Sequence, residues 1–547
     1  MQIIIPMSGF GERFRAEGYT LPKPLIEVEG KPVISHVVDL FPGHHDFIFI
    51  CNEDHLRNSE WDMQAVLESL SNSTRIISIS AHKLGPVNAI LKAKNALDLN
   101  AETIVNYADF TCRLDFDKFL DDIRVRSLSG SVPAYRGFHP HSGGSTNYAY
   151  IKENDFFLED IREKAPFTDN KVAEFASSGT YYFKSASLML DLFEEQVSKE
   201  ISVSGEFYVS SSMALMRERG LDVGVFELEH FMQWGTPQDL WEYEHFSNLF
   251  HQLANFDSAS LEISGVGASL ILASGEGKRF QDKGYRTPKT LLPVSGSPLV
   301  SQLVKAVDST QPLAISVLAA SVQMRLREAG FDNILMLAKL SQGQADTASQ
   351  LVESQRHEIE DAFSIFPNDT LFADATGSLS EIVSTSKDFL VAWVSQPSPF
   401  AKANPNQFGW IWEDSGQVVT ALKRSPANPS ARVITGAFTL SSRGTFQRLF
   451  DWVESNNKTI NGELYIDSFI EGATQLGISI SIFEPQISIT LGTPYEYESF
   501  RYWQSCFDQW GSHPYNLEAD PFVAKGNLRP LRDELRSTKH EPSEHGF

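Results

Sequence analysis

Cysteine is almost missing from this chain: Cys51, Cys112 and Cys506 are the only three among 547 residues. Odd in number and far apart, they can form neither a disulfide framework nor a zinc-ligand pattern, so a reducing cytoplasm is expected. Positive charge is scarce too. Lys and Arg total 46 against 70 Asp and Glu, a formal net charge of -24. That balance disfavours a general nucleic-acid binder, whose affinity comes from neutralising phosphates, but leaves room for a small anion in one locally basic pocket. No apolar run approaches the ~18–20 residues needed to span a bilayer, so no membrane partner is expected. The opening Met1–Pro6 lacks the charged region and long apolar core of a signal peptide. What remains, 42% hydrophobic and 21% charged, is globular in composition. A chain this long exceeds the roughly 250–300 residues at which one core stops growing, so at least two domains are expected.

The chain repeats itself. Met7-Ser8-Gly9-Phe10-Gly11-Glu12-Arg13-Phe14 returns as Ala273-Ser274-Gly275-Glu276-Gly277-Lys278-Arg279-Phe280, an offset of 266. The match runs on without a gap through Gly18-Tyr19 and Gly284-Tyr285 to Pro22-Lys23 and Pro288-Lys289. Asp109 pairs with Asp369 at an offset of 260. Gly179 with Gly436, Gly205-Glu206-Phe207-Tyr208 with Gly462-Glu463-Leu464-Tyr465, and Gly235-Thr236-Pro237 with Gly492-Thr493-Pro494 all pair at 257. A few loop deletions account for the drift, and the period is far too long for a solenoid. Two copies of one domain are therefore expected, residues 1–256 and 267–510, followed by a C-terminal extension over 511–547 whose end is frayed. The join falls in the small polar stretch Asp257-Ser258-Ala259-Ser260. The copies could pack on each other as an intramolecular pseudo-dimer.

Each copy alternates short apolar strands (Ile3–Pro6, Phe47–Cys51, Thr103–Asn106) with amphipathic helices (Pro32–Leu40, Val87–Leu97), a pattern that predicts α/β layers about a mostly parallel sheet. Ligands in such sheets sit at the carboxyl ends of the strands, where both the glycine loop and Asp109 fall. Two glycines after a buried strand let backbone N–H groups approach phosphate oxygens. Arg13 can grip a pyrophosphate through its planar fork, and Lys23 can supply a point charge. Neither standard phosphate loop fits, since a Walker motif needs Gly-Lys-Ser/Thr and a dinucleotide fingerprint needs a third glycine where Phe14 stands.

Gly-x-Gly-x-Arg-Phe, then Gly-Tyr, then Pro-Lys-Pro-Leu and Gly-Lys-Pro resembles the signature of the sugar-phosphate nucleotidyltransferases, and does so twice. The resemblance implies two tandem Rossmann-like (GT-A-like) α/β/α sandwiches. It also implies Mg²⁺-dependent transfer of a nucleotidyl group from a nucleoside triphosphate to a phosphorylated small-molecule acceptor, with release of pyrophosphate. By motif, Ser8, Gly9, Gly11 and Arg13, with Ser274, Gly275, Gly277 and Arg279, would hold the triphosphate. Lys23 and Lys289 would steady it during transfer. Gly85-Pro86 and Gly343-Gln344 resemble the base-reading segment, Asp109 and Asp369 the metal ligand, and Lys164 in Glu163-Lys164-Ala165-Pro166 the acceptor contact. In the second copy that contact is open between Lys423 and Arg424. Further segments of the first copy, Phe138-His139-Pro140-His141 among them, look like members from capsule and surface-polysaccharide loci, some of them cytidylyltransferases.

Two residues depart from the family pattern. An Asp usually stands two places before the glycine of Gly-Thr-Pro, where this chain has Gln233 and Thr490. A neutral group binds Mg²⁺ more weakly, which motivates a rival reading as a non-catalytic nucleotide-sugar sensor. Asp115-Phe116-Asp117 resembles the metal-binding motif of glycosyltransferases, but reads better as the acidic first turn of a helix over Asp115–Ile123. His139 and His141, two apart, are expected on one face of a strand, and His44-His45 in a polar turn. The aromatics of Gly205-Glu206-Phe207-Tyr208 could line an acceptor pocket, but are assigned to the core.

Overall fold

A computed structural model describes residues 1–143, 148–257, 261–307, 310–359 and 361–537. The expected join at Ser258–Ser260 and the end of the extension, 538–547, lie outside the described residues. The chain forms two compact units, Met1–Glu244 and His245–Phe547. Among the described residues no helix is long and apolar enough to cross a membrane. All three cysteines are buried free thiols.

The first unit is built on a ten-stranded sheet. Across it the strands begin, in order, at Phe175, Ala149, Phe157, Val223, Gly130, Thr180, Thr103, Gln2, Asp46 and Thr74. The block of four at the Thr103 to Thr74 end is parallel, and Gln2–Met7 runs between Asp46–Asn52 and Thr103–Asn106. Beyond it the sheet is mixed, with Thr180–Phe183 antiparallel to Thr103–Asn106. Gln2–Met7 alternates strictly between two cores. Ile4 packs with Ile48, Ile50 and Val105, while Ile3, Ile5 and Met7 pack with Phe47, Phe49 and Cys51 on the other face. A strand buried on both sides must read as a continuous apolar run, which is why its sequence is recognisable.

The second unit repeats the plan with nine strands. Ala268–Ala273 lies parallel to Leu313–Val317 on one side and to Phe363–Pro367 on the other. Its helix Pro494–Gln509 is almost wholly buried, because residues 511–537 fold over it. Gln504 Nε2 donates to Tyr515 Oη at 3.1 Å and to Asp520 Oδ2 at 3.0 Å, and Arg532 pairs with Asp508 at 2.9 Å. Phe250, in the second half of the helix Pro237–Asn255, meets the rings of Phe500, Phe507 and Tyr515.

Two expectations need correction. Pro140–Gly143 forms a 3-10 turn, so His139 and His141 do not share a strand face; Pro140 has no N–H to give a ladder. The helix expected over Val87–Leu97 ends at Lys92 and continues only as a short 3-10 turn, Lys94–Ala96.

Two sharp constraints hold the helix that begins at Gly343. Its φ is +130°, and a Cβ there would sit 2.5 Å from Leu464 O and 2.7 Å from Leu464 N. Gly11 is left-handed at +64° but has open space, while Gly9 is neither left-handed nor crowded. Thermal unfolding should rank the three alanine variants accordingly. Gly343→Ala should lose about 3 kcal/mol and Gly11→Ala about 1 kcal/mol, with Gly9→Ala within ~0.5 kcal/mol of wild type.

Candidate functional site

In each copy the central strand delivers its loop to the same place. Gln2–Met7 runs into Ser8-Gly9-Phe10-Gly11, and left-handed Gly11 turns the chain into the helix Glu12–Ala16. In the second copy Gly277, φ +66°, does the same before Lys278–Asp282. Ser8 and Ser274 are buried beneath the loop. Arg13 and Arg279 are exposed, and neither has an ion-pair partner among the described residues. Each loop thus presents an uncommitted guanidinium.

The lysines are committed. Lys23 opens the 3-10 turn Lys23–Leu25 and pairs with Asp109 Oδ2 at 2.9 Å. Lys289 repeats this with Asp369 Oδ2 at 2.5 Å. Each aspartate stands at the start of a short strand, Phe110–Cys112 or Thr370–Ala373, that pairs antiparallel with the strand before Gly-Thr-Pro. Trp234 N donates to Asp109 O at 2.9 Å, and Leu491 N to Asp369 O at 2.7 Å. This register puts Gln233 and Gly235 beside the Asp109 carboxylate. A Cβ on Gly235 would lie 3.2 Å from Asp109 Oδ2 and 2.3 Å from Gln233 Nε2. Thr490 occupies the matching place in the other copy.

A second acid approaches each aspartate from the helix that follows. Thr236 Oγ1 donates to Asp239 Oδ2 at 2.6 Å, and Thr493 Oγ1 to Glu496 Oε2 at 2.9 Å, each a capping box at the start of its helix. Burial, aided by the neighbouring aspartate, pushes Asp239 up to about 6 and Glu496 up to about 7. These acids were missed in the sequence. Their signal was a Thr three residues before an acid in both copies.

The lysines expected to meet the acceptor show how closely the copies correspond. Lys164 follows the strand Phe157–Glu163 with φ +58°, and its N donates to Tyr148 O at 2.8 Å. Lys423 follows Gln417–Leu422 with φ +52°, and its N donates to Phe408 O at 2.9 Å. Left-handed lysines are uncommon, so Lys423 and not Arg424 is the counterpart of Lys164. Arg424 is exposed and turns back towards Thr420 O. Lys164 Nζ donates to Tyr208 Oη at 2.6 Å and lies over its ring. Lys423 Nζ lies over the Tyr465 ring at 5.2 Å and donates to Gln407 O at 2.6 Å. Tyr208 is only partly buried, so its assignment to the core is corrected: it holds a lysine. Its hydroxyl also bonds Glu206, and burial raises its pKa. Arg13 acts electrostatically on Tyr208, and Arg279 on both Tyr465 and Lys423, so loop and lysine face one space in each copy.

Gly85, φ +85°, begins the helix Pro86–Lys92, and a Cβ there would lie 2.7 Å from Phe207 O. The base-reading candidates Gly85-Pro86 and Gly343-Gln344 are thereby pressed against the segments that carry Tyr208 and Tyr465. Other candidates fall elsewhere. Asp115 caps the helix Phe116–Val125 by accepting from Lys118 N at 3.2 Å. His141 is packed against Tyr135, Tyr148 and Phe231, and burial drives its pKa down to about 3, so it stays neutral.

The family model described as nucleotidyl transferase matches residues 2–248 and again 268–476. The chain belongs to that family. It is similar to the bifunctional protein GlmU of Methanocaldococcus jannaschii, 22% identical over 195 residues, 36% of this chain and 44% of that one. It is also similar to GlmU of Clostridioides difficile, 27% identical over 233 residues, 41% and 46% of the two chains. The chain thus spans less than half the length of the curated relatives it matches. Among solved structures it resembles a nucleoside-diphosphate-sugar pyrophosphorylase from Vibrio cholerae at 20% identity and TM-score 0.38, covering 45% of this chain and 100% of that one.

Glu496 gives a test of the site's electrostatics. A carboxyl whose pKa rises on folding, here from an ordinary 4.5 to about 7, binds its proton more tightly in the folded state. Stability from this group is therefore fully present at low pH and is lost as pH rises from about 4.5 through about 7. Glu496→Gln should exceed wild type by about 3 kcal/mol near pH 8, with the gap closing near pH 4.5 in thermal unfolding across that range.

Proposed function

We propose that the protein transfers a nucleoside monophosphate from a nucleoside triphosphate to a small phosphorylated acceptor, a sugar 1-phosphate or similar, with the first copy a working site. One observation carries this reading. A free arginine, a lysine held at a strand-end aspartate and a lysine seated on a tyrosine are all turned to one space. An acceptor phosphate oxygen attacks the α-phosphorus, the bond from the α-phosphorus to the bridging oxygen breaks, and pyrophosphate leaves. A phosphate nucleophile needs no strong base, so the work is positioning and charge neutralisation. Loop N–H groups from Gly9 and Gly11 receive the triphosphate. Arg13 and Lys23 take up charge on the departing pyrophosphate, and Lys23 exchanges Asp109 for a phosphate to do so. Lys164, steadied by Tyr208, orients the acceptor phosphate.

The carboxylates of Asp109 and of the nearby Asp239 offer oxygens suited to a hard divalent cation, with the Gln233 amide beside them. Mg²⁺ held there by Asp109 would neutralise charge on the triphosphate when bound. Buried free thiols and a triphosphate donor agree with a cytoplasmic enzyme. Its product would be an activated precursor of the kind consumed in surface-polysaccharide assembly.

The sensor reading is favoured by Gln233 and Thr490 and predicts nucleotide binding without turnover. Pyrophosphate release, measured over a panel of triphosphates and phosphorylated acceptors with Mg²⁺, separates the two. For a productive pair, Lys23→Ala should lower kcat by about 10²–10³-fold. Lys164→Ala should raise the acceptor KM by about tenfold and spare triphosphate binding. Binding of a triphosphate with no release for any acceptor would favour the sensor.

A further inference from the structure

We infer that Glu206 is a positioning residue: through the Tyr208 hydroxyl it fixes where Lys164 presents its charge to the acceptor phosphate. The inference rests on the transfer reading above, in which Lys164 meets that phosphate. Its first support is a directed chain of hydrogen bonds. Lys164 Nζ donates to Tyr208 Oη at 2.6 Å, and Tyr208 Oη donates in turn to Glu206 Oε2. A phenol has one proton to give and lone pairs with which to receive. Once that proton is committed to Glu206, the lone pairs are left facing the ammonium. Without the carboxylate the hydroxyl proton is free to rotate, and the lysine loses a fixed acceptor. Lys164 then keeps only the ring face, 4.6 Å from its Nζ, which attracts a cation without fixing its direction.

A tight turn places the glutamate. Val203 and Glu206 exchange both backbone hydrogen bonds across Ser204 and Gly205, whose φ angles are +53° and +80°. Left-handed angles at both central residues are the mark of a type I′ hairpin turn. Beyond it Glu206 and Tyr208 stand two apart on one face, while Phe207 packs on the core. Phe207 is also anchored through its backbone, its N donating to Leu84 O at 3.0 Å and its O accepting from Val87 N at 3.3 Å. Turn and anchor thus hold this segment without the Glu206 side chain. Among the described residues, that carboxylate is hydrogen-bonded to Tyr208 alone. Glu206, Tyr208 and Lys164 are all half-buried, so the chain of bonds lies at an accessible surface and not in the core.

The second copy repeats the arrangement. Asn461 and Gly462, φ +54° and +82°, turn the chain between the paired segments Thr459–Ile460 and Glu463–Leu464. Glu463 is hydrogen-bonded to Tyr465, and Lys423 Nζ lies over that ring at 5.2 Å. Leu464 N donates to Gln342 O at 2.8 Å, as Phe207 N does to Leu84 O. The last link differs, since Lys423 Nζ donates to Gln407 O and not to the phenol. Turn, glutamate and tyrosine recur together, although the residue between the last two has changed from Phe207 to Leu464.

The test uses the full chain and pyrophosphate release with glucose 1-phosphate, inositol 1-phosphate, glycerol phosphate and phosphocholine, each with the four common triphosphates and Mg²⁺. For an active pair, Glu206→Ala should raise the acceptor KM about fivefold and leave the triphosphate KM within about twofold. Glu206→Gln, whose amide oxygen still accepts the Tyr208 proton, should keep the acceptor KM within about twofold of wild type. Because Glu206 acts through the phenol, adding Glu206→Ala to Tyr208→Phe should change the acceptor KM by less than about 1.5-fold. A full fivefold effect in the Tyr208→Phe background overturns the inference, as does a Gln variant no better than Ala. A second readout needs no turnover. With the lysines ¹³C-dimethylated and the Lys164 methyl signal assigned from Lys164→Arg, that signal should move in Glu206→Ala and stay in Glu206→Gln. Circular dichroism of each variant establishes that it is folded, and Glu206→Met, similar in volume but a poor acceptor, replaces an Ala variant that is not. A wild type that releases no pyrophosphate with any pair defeats the transfer reading. The lysine signal then decides the positioning by itself: movement in Glu206→Ala supports it, and an unmoved signal overturns it.

Discussion

Each site is organised around an ion pair that bridges two distant stretches of chain. Lys23 comes from a turn just after the glycine loop and Asp109 from beyond the carboxyl end of the neighbouring parallel strand Thr103–Asn106, 86 residues later, and they meet at 2.9 Å. The pair is about one-quarter exposed on both sides, so it contributes modestly to stability. Its importance is geometric. The pair offsets the charge of a carboxylate that stands close to a second acid, Asp239. It also stores both groups at the mouth of the loop where anions and cations must later be handled. The second copy holds the same pair under the same strand end.

Much of this was legible in the sequence. The repeat fixed the loop glycines, Arg13, Lys23 and Asp109 in register, because these residues lie in segments where backbone shape dictates residue type. The buried strand before each loop was equally plain, since a strand covered on both faces carries an unbroken apolar run. Asp115 behaved as its local spacing required and capped a helix.

What remained hidden depends on contacts between remote segments. Nothing near residue 164 announces that its lysine rests on Tyr208, and an aromatic in an apolar setting reads as core until its hydroxyl is seen to hold a cation. The choice between Lys423 and Arg424 turned on a backbone angle, which neighbouring cations in a sequence cannot reveal. Gln233 counted as a loss in the sequence. In three dimensions it still turns a polar amide towards Asp109, and a buried acid from the next helix stands close by. The two histidines failed as a strand pair because Pro140 between them cannot join a ladder.

The carboxylates beside the two candidate acceptor lysines come from different elements. In the first copy Glu163 ends the strand that leads to Lys164, and Ser210 Oγ donates to it at 2.6 Å. In the second copy Leu422 stands at the matching strand position, and buried Asp467 stands at the position matching Ser210, where it acts electrostatically on Lys423. A chimera that took the strand from one copy and the later segment from the other would bring both of these acids to one lysine, or neither. Strand and later segment are therefore exchangeable only as a set.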